Sequence, residues 1–119
     1  MEKSWKIIYY QSPKQNSAPV YDFINSLNAK AKAGIIRLVD ILEEFGTHIG
    51  NKHSKKLEGT DLWELRLLGD NNIRLLYVLI DNKTFLLLHG FNKKKQKTDR
   101  REIKTALVRL VEYKSRTPI

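Results

Sequence analysis

The stretch LWELRLLGDNNIRLLYVLIDNKTFLLLHGF, residues 62–91, contains three apolar runs separated by two short polar segments. Each run has the length of a strand, and the segments GDNN and DNK between them are rich in residues that tolerate turn geometry. Runs of this length and spacing predict three antiparallel strands that follow one another as a meander. The stretch therefore predicts the centre of the fold.

Regular patterns flank this stretch on both sides. The segment WKIIYY, residues 5–10, is rich in β-branched and aromatic residues and predicts a first strand. Apolar residues at helical spacing predict two consecutive helices over residues 20–27 and 35–45, the second ending at Gly46, and a last helix over residues 99–111. The predicted order is β-α-α-β-β-β-α, an α+β fold with the helices packed on one face of a small sheet.

Length and composition restrict the class of protein. A chain of 119 residues with 41% hydrophobic residues suits one domain, which we expect to span residues 1–119. The chain has no cysteine, which excludes disulfides and thiolate metal sites. No signal-peptide pattern, apolar run of membrane-spanning length or phosphate-binding glycine loop is present. We therefore expect a cytoplasmic protein without a metal or another cofactor.

The positive charge is concentrated near the end of the chain. The sequence has 22 lysines and arginines against 13 acidic residues, a net charge of +9. Ten of the basic residues and three of the acidic ones lie between residues 92 and 116, so this segment supplies +7 of that charge. Such a local excess is typical of proteins that bind a polyanion, because neutralising phosphates drives nucleic-acid affinity.

Charged residues also interrupt the apolar strands. Side chains alternate across a strand, so Glu64, Arg66 and Arg74 are expected on one face, which we predict to be an open surface. One interpretation is a surface ion pair between Glu64 and an arginine, which contributes little stability. The other is a pair of guanidinium groups directed at phosphate oxygens. The sequence alone does not decide between them.

Lysines and histidines supply further candidates for phosphate contact. Lys93, Lys94, Lys95 and Lys97 lie between a strand end and a helix start, where anions are favoured. His53 lies in a basic connector with Lys55 and Lys56, and it is a candidate phosphate contact or general base. His89 ends an apolar strand, a position more typical of a structural histidine. The histidines lack the spacing of a metal site.

The segments LWELR, IRLLYVL and LLLHGFNKKKQKT together resemble the HigB branch of the RelE/ParE toxin superfamily. The resemblance covers most of the chain and implies a RelE-like fold, with a helical hairpin on a small antiparallel sheet. It implies the toxin of a type II toxin–antitoxin system, a ribosome-dependent, metal-free mRNA endoribonuclease (mRNA interferase) that inhibits translation. It also implies a HigA-like antitoxin with a helix-turn-helix domain as a partner. The toxin is expected to contact operator DNA only through this antitoxin, and to have no membrane partner.

The resemblance assigns roles by position. Arg74 matches the catalytic arginine of the family, Lys93 and Lys94 match a second catalytic cation, and Arg66 matches a basic residue near the same cleft. The remaining candidates for RNA contact are His53, Lys55, Lys56, Glu64, Lys95 and Lys97. Relatives carry lysines where this chain has Leu62 and Glu64, and a tyrosine that residues 92–102 lack. The general base therefore stays open among Glu64, His53 and a lysine.

Three other functions are compatible with the same pattern, and one of them is a plain interaction protein whose basic face meets an acidic partner. ParE-like toxins use the same scaffold against gyrase, and a fold does not by itself establish a function. A non-catalytic, basic RNA-binding module would show salt-dependent binding without cleavage products.

Overall fold

The three apolar runs form adjacent strands in a computed structural model of the chain, which describes residues 4–14, 16–69 and 72–117. The elements in chain order are β1 (Lys6–Tyr9), α1 (Pro19–Ser26), α2 (Ala29–Phe45), a short 3-10 helix (Gly46–His48), β2 (Ser54–Lys56), β3 (Trp63–Leu67), β4 (Ile73–Leu79), β5 (Thr84–Asn92) and α3 (Arg100–Arg116). The predicted α+β class, the pair of consecutive helices, the meander and the last helix are confirmed.

The strands form one mixed sheet in the order β1-β5-β4-β3-β2. β1 pairs in parallel with β5, and the other neighbours are antiparallel. β2 was not predicted, because its residues SKK have no apolar alternation and lie in a segment that reads as a polar connector. Its pairing places Lys55 opposite Glu64 and Lys56 opposite Trp63, so the connector forms an edge strand beside the charged part of β3.

Helices cover both faces of the sheet. α1 and α2 pack on the face that carries Leu75 and Tyr77, whereas α3 packs through Leu110 on the face that carries Leu76 and Val78. The prediction that all helices share one face is therefore wrong. The physical reason is that β4 and β5 are apolar on both sides, and a strand of this kind requires cover on both faces to remove its side chains from water.

The ends of the helices follow local chemistry. Pro19 occupies the first turn of α1, and the Asn28 side chain accepts a hydrogen bond from the backbone N–H of Ala31 at the start of α2. α2 ends at Gly46, whose φ of 55° is in the left-handed region. A side chain at Gly46 would also meet the Trp5 ring, because an added Cβ would lie 1.9 Å from it. Gly46 therefore satisfies a backbone and a packing requirement together.

Candidate functional site

Arg66 and Arg74 lie directly opposite each other across the hairpin of β3 and β4, on the face that α3 covers. The prediction that Arg66 and Arg74 lie on one face of the sheet is confirmed. The expected open surface is wrong for Arg74 and Glu64, which are 5% and 2% exposed. The difference arises because β5 leads directly into the segment 93–98, which returns over this face before α3 begins.

The carboxylate of Glu64 is the centre of the charged group. Its Oε1 lies 3.7 Å from Nε of Arg74 and 3.7 Å from Nζ of Lys93, and its Oε2 accepts a hydrogen bond from the Thr98 hydroxyl. The four side chains come from β3, β4 and the segment after β5. The interpretation of Glu64 as half of a surface ion pair is therefore wrong, because a buried carboxylate joins two cations and the segment that covers them.

The guanidinium of Arg74 is held in place but not fully hydrogen-bonded. Its NH1 donates to the carbonyl oxygens of Leu67 and Ile73, at 3.1 and 3.0 Å. Burial lowers the pKa of Arg74 below its usual value, the Glu64 carboxylate raises it, and the Arg66 charge lowers it further. Within the described part of the chain, Nε of Arg66 and Nε of Arg74 are buried without a hydrogen-bond partner. Nε of Arg74 nevertheless faces Oε1 of Glu64 at 3.7 Å, so its charge is paired by a contact longer than a hydrogen bond.

A cleft of about 420 Å³ opens beside Arg74, and we call it the cation cleft. It is lined by Asn72, Arg74, Lys93, Lys94, Lys95 and Gln96. The backbone N–H of Lys93 donates to the Asn72 carbonyl at 2.8 Å, which fixes the start of the lysine segment against the start of β4. The volume of the cation cleft is in the range of ligand-binding sites, and the residues that line it are cationic or neutral. The arrangement suits an anion.

The other predicted residues do not line the cation cleft. His53 lies beside β3, because its carbonyl accepts a hydrogen bond from the backbone N–H of Arg66 at 2.8 Å. Lys55 is exposed on β2 opposite Glu64. Lys97 lines a smaller cavity of about 180 Å³ that shares Lys93, Lys94 and Lys95 with the cation cleft. Lys56 lines a different cavity next to Trp63. Lys56 and Lys97 are therefore not part of the cation cleft.

His89 has the surroundings of a structural residue. Its Nδ1 accepts a hydrogen bond from NH1 of Arg109 at 3.2 Å, so Nε2 carries the proton and donates to Glu102 at 2.7 Å. Burial lowers the pKa of His89, and Glu102 partly opposes this shift. The sheet register shifts at Leu76, which faces His89, and His89 is directed towards α3. This observation agrees with the predicted structural role.

Several contact residues had no signal in the sequence. Thr98 reads as a neutral residue before a helix, and Asn72 as a turn residue. Thr98 lies 34 residues from Glu64 along the chain, so only the fold brings them into contact. Among the described residues, no group of three or more histidine, cysteine, aspartate or glutamate side chains is arranged to hold a metal ion.

The family described as "Phage derived protein Gp49-like (DUF891)" matches residues 22–111. The chain belongs to this family. The match runs from within α1 to within α3, and it includes Glu64, Arg66, Arg74 and the lysine segment. Gp49-like proteins are phage-derived and toxin-like, and they belong to the RelE/HigB-type toxin group. None of the curated proteins matches the chain.

The family also bears on the partners of this Gp49-like protein. A toxin-like family suggests an antitoxin partner. None of the helices in the described ranges is long and apolar enough to cross a membrane.

Proposed function

We propose that this Gp49-like protein is a HigB-type toxin that cleaves mRNA on the ribosome, and that residues 1–119 act as one toxin domain. The observation that carries the proposal is the cation cleft, which Arg74, Lys93, Lys94 and Lys95 line together without an acidic residue. Arg66 lies opposite Arg74 on the neighbouring strand. A phosphate group would supply hydrogen-bond acceptors and negative charge to these cations.

The reaction requires the attack of a ribose 2′-OH on the adjacent phosphorus. The new O2′–P bond forms, the P–O5′ bond breaks, and the products are a 2′,3′-cyclic phosphate and a free 5′-OH. The 2′-OH proton passes to a general base, and a general acid returns a proton to the departing 5′-oxygen. Arg74 and Arg66 are assigned to the charge that develops on the non-bridging oxygens, an interaction that is often the largest catalytic contribution.

The proton-transfer roles fall to groups that can reach the cleft. Glu64 is a poor candidate for the general base, because it is buried and already contacts Arg74, Lys93 and Thr98. A lysine at 93–95 is placed to donate to the leaving oxygen, and His53 is the remaining candidate base beside Arg66. Glu64 is thus assigned the positioning of two cations rather than direct contact with RNA.

Partners follow from the same assignment. A weak set of acids and bases gains most from a substrate that is already oriented, which is the role we assign to the ribosome. The cognate antitoxin, a HigA-like helix-turn-helix protein, would neutralise the toxin and carry it to operator DNA. A cationic cleft of this kind is also a surface that an acidic antitoxin segment could cover.

The experiment is primer extension on mRNA after induced expression, with and without translation. Wild-type protein should cut only translated messages. Arg74→Ala should reduce cleavage about 100-fold or more, the effect typical of removing one preorganised donor, and Lys93→Ala should also reduce it. Lys30→Ala is the control, because Lys30 is exposed on α2, across the sheet from the cleft.

Each alternative function predicts a different result. Intact mRNA with broken or relaxed DNA would indicate a gyrase-directed toxin. Salt-dependent RNA binding without fragments would indicate a non-catalytic module. Cleavage by a folded Arg74→Ala, Lys93→Ala double variant at the wild-type rate would refute the assignment of the cleft.

A further inference from the structure

The outer side of α3 is apolar and exposed. The side that faces the sheet is occupied, since Ala106 and Leu110 are buried in the core. On the opposite side Val108 and Val111 are 59% and 68% exposed, the highest values of any large hydrophobic residue in the described ranges. Apolar side chains that a fold leaves next to one another in water commonly mark an interaction site.

These valines belong to a groove of about 420 Å³ along α3, which we call the α3 groove. It is lined by Arg100, Ile103, Lys104, Leu107, Val108 and Val111. Four of these residues are aliphatic, and the two basic ones lie towards the start of the helix. The α3 groove shares no lining residue with the cation cleft.

The spacing of the lining residues fits a second helix. Lys104, Leu107 and Val111 recur at intervals of three and four residues, the pattern by which one helix presents a seam to another. The groove spans residues 100–111, about 17 Å at about 1.5 Å per residue, which is about three helical turns. An amphipathic partner helix would place its apolar side chains against Leu107, Val108 and Val111.

The charge of α3 determines which kind of helix fits. The helix contains six basic and two acidic residues, a net charge of +4. Both acidic residues have partners inside the protein, because Glu102 accepts a hydrogen bond from His89 at 2.7 Å and Glu112 accepts one from Tyr10 at 2.6 Å. No acidic residue lines the α3 groove beside its two cations. A partner helix with acidic residues beside its apolar stripe would supply the complementary charge.

Three other occupants fit the α3 groove less well. A second copy of this chain would bring two helices of charge +4 against each other. An RNA base would find no aromatic ring among the lining residues on which to stack. A helix that binds a membrane surface usually carries Trp, Phe or Leu along its whole apolar face, whereas the exposed apolar residues here are mainly two valines.

We propose that the α3 groove binds an acidic amphipathic helix of a partner protein. This inference goes beyond the proposed mRNA cleavage and does not depend on it, because the two sites are lined by different residues. A partner held in the α3 groove would keep this contact whether or not the cation cleft contains RNA.

Fluorescence anisotropy with a synthetic helix measures the binding. The probe is a labelled peptide of about 21 residues, with Leu at the a and d positions of each heptad and Glu at e and g, so that two peptides repel each other. The full-length protein should bind this acidic peptide at least about tenfold more tightly than a peptide with Lys at e and g. The double variant Val108→Asp, Val111→Asp should bind the acidic peptide about tenfold or more weakly than the wild type.

Matched variants separate the α3 groove from the rest of the surface. Ile36→Asp changes an exposed apolar residue of α2, which packs on the other face of the sheet, and should leave peptide binding unchanged. The charge reversal Arg100→Glu, Lys104→Glu should weaken binding of the acidic peptide and strengthen binding of the basic one. Circular dichroism checks that each variant is folded.

The outcomes also separate the α3 groove from the proposed nuclease. Failure of the wild type to bind the acidic peptide, or equal binding by the valine double variant, overturns the proposal. Binding that is lost in Arg74→Ala, Lys93→Ala but kept in the valine double variant overturns it by placing the peptide in the cation cleft. Dimerisation of the protein in sedimentation experiments that Val111→Asp abolishes overturns it in favour of a second copy. Groove-dependent peptide binding by a protein that leaves mRNA intact supports the α3 groove and contradicts only the nuclease.

Discussion

Glu64→Gln is the sharpest test of how the site is organised. The substitution keeps the size of the side chain and an oxygen that can accept from the Thr98 hydroxyl, but it removes the negative charge between Arg74 and Lys93. Removing one partner from a buried ion pair costs about 3–5 kcal/mol. Two features reduce that figure: the contacts at 3.7 Å are longer than hydrogen bonds, and the Lys93 side chain is 17% exposed and can turn towards water.

We therefore expect Glu64→Gln to lower the free energy of unfolding by about 2–3 kcal/mol. A protein of 119 residues loses about 3–5 °C of Tm per kcal/mol, so Tm should fall by about 6–15 °C. Differential scanning calorimetry measures the shift. The loss should persist at high salt, because a buried pair is screened much less than an exposed one.

The matched control is Glu58→Gln, since Glu58 is exposed in the turn before β3 and its loss should change stability by less than about 0.5 kcal/mol. A Glu64→Gln protein with the Tm of the wild type would refute the reasoning, because Glu64 would then not be holding the two cations. A lower Tm that salt restores would refute the burial argument specifically.

Two further predictions concern stability away from the cleft. Gly46→Ala should lower the free energy of unfolding by about 3 kcal/mol or more, because it adds a clash with Trp5 to an unfavourable φ. Gly50→Ala, at φ 88° in open space, should lower it by only about 1–2 kcal/mol. Urea denaturation measures both changes. The folded-state pKa of His89 is below its unfolded value, so its contribution to stability is present above about pH 6.5 and is lost as the pH falls through the folded pKa. Tm should therefore fall less between pH 7 and pH 5 in His89→Gln than in the wild type; an identical fall in both would show that the neutral His89, bonded to Glu102, makes no such contribution.

Local patterns in the sequence were sufficient for most of the elements. Strand-length apolar runs with short turns predicted β3 to β5, and helical spacing with Gly46 at its end predicted α2. These features depend on neighbours only a few residues apart, so a single sequence contains the information. The opposition of Arg66 and Arg74 belongs to the same class, because a short hairpin turn fixes the register between consecutive strands.

Other features depended on contacts between distant segments. The sequence contained apolar residues on both sides of β4, but only the packed structure showed that α3 covers the second face. β2 has no apolar pattern of its own and becomes a strand through pairing with β3. In both cases the determining interaction is with a surface that does not exist until the rest of the sheet forms.

The same distinction between local pattern and distant contact applies to the candidate site. The sequence by itself determined which cations are available and that Arg66 and Arg74 lie on one face of neighbouring strands, because charge and strand alternation are local properties. Only the tertiary structure decided that Glu64 is buried between Arg74 and Lys93. The physical reason is that a sequence does not show whether a carboxylate faces water or two cations. The burial of Glu64 depends on the segment 93–98, which is distant in the chain and folds back over it.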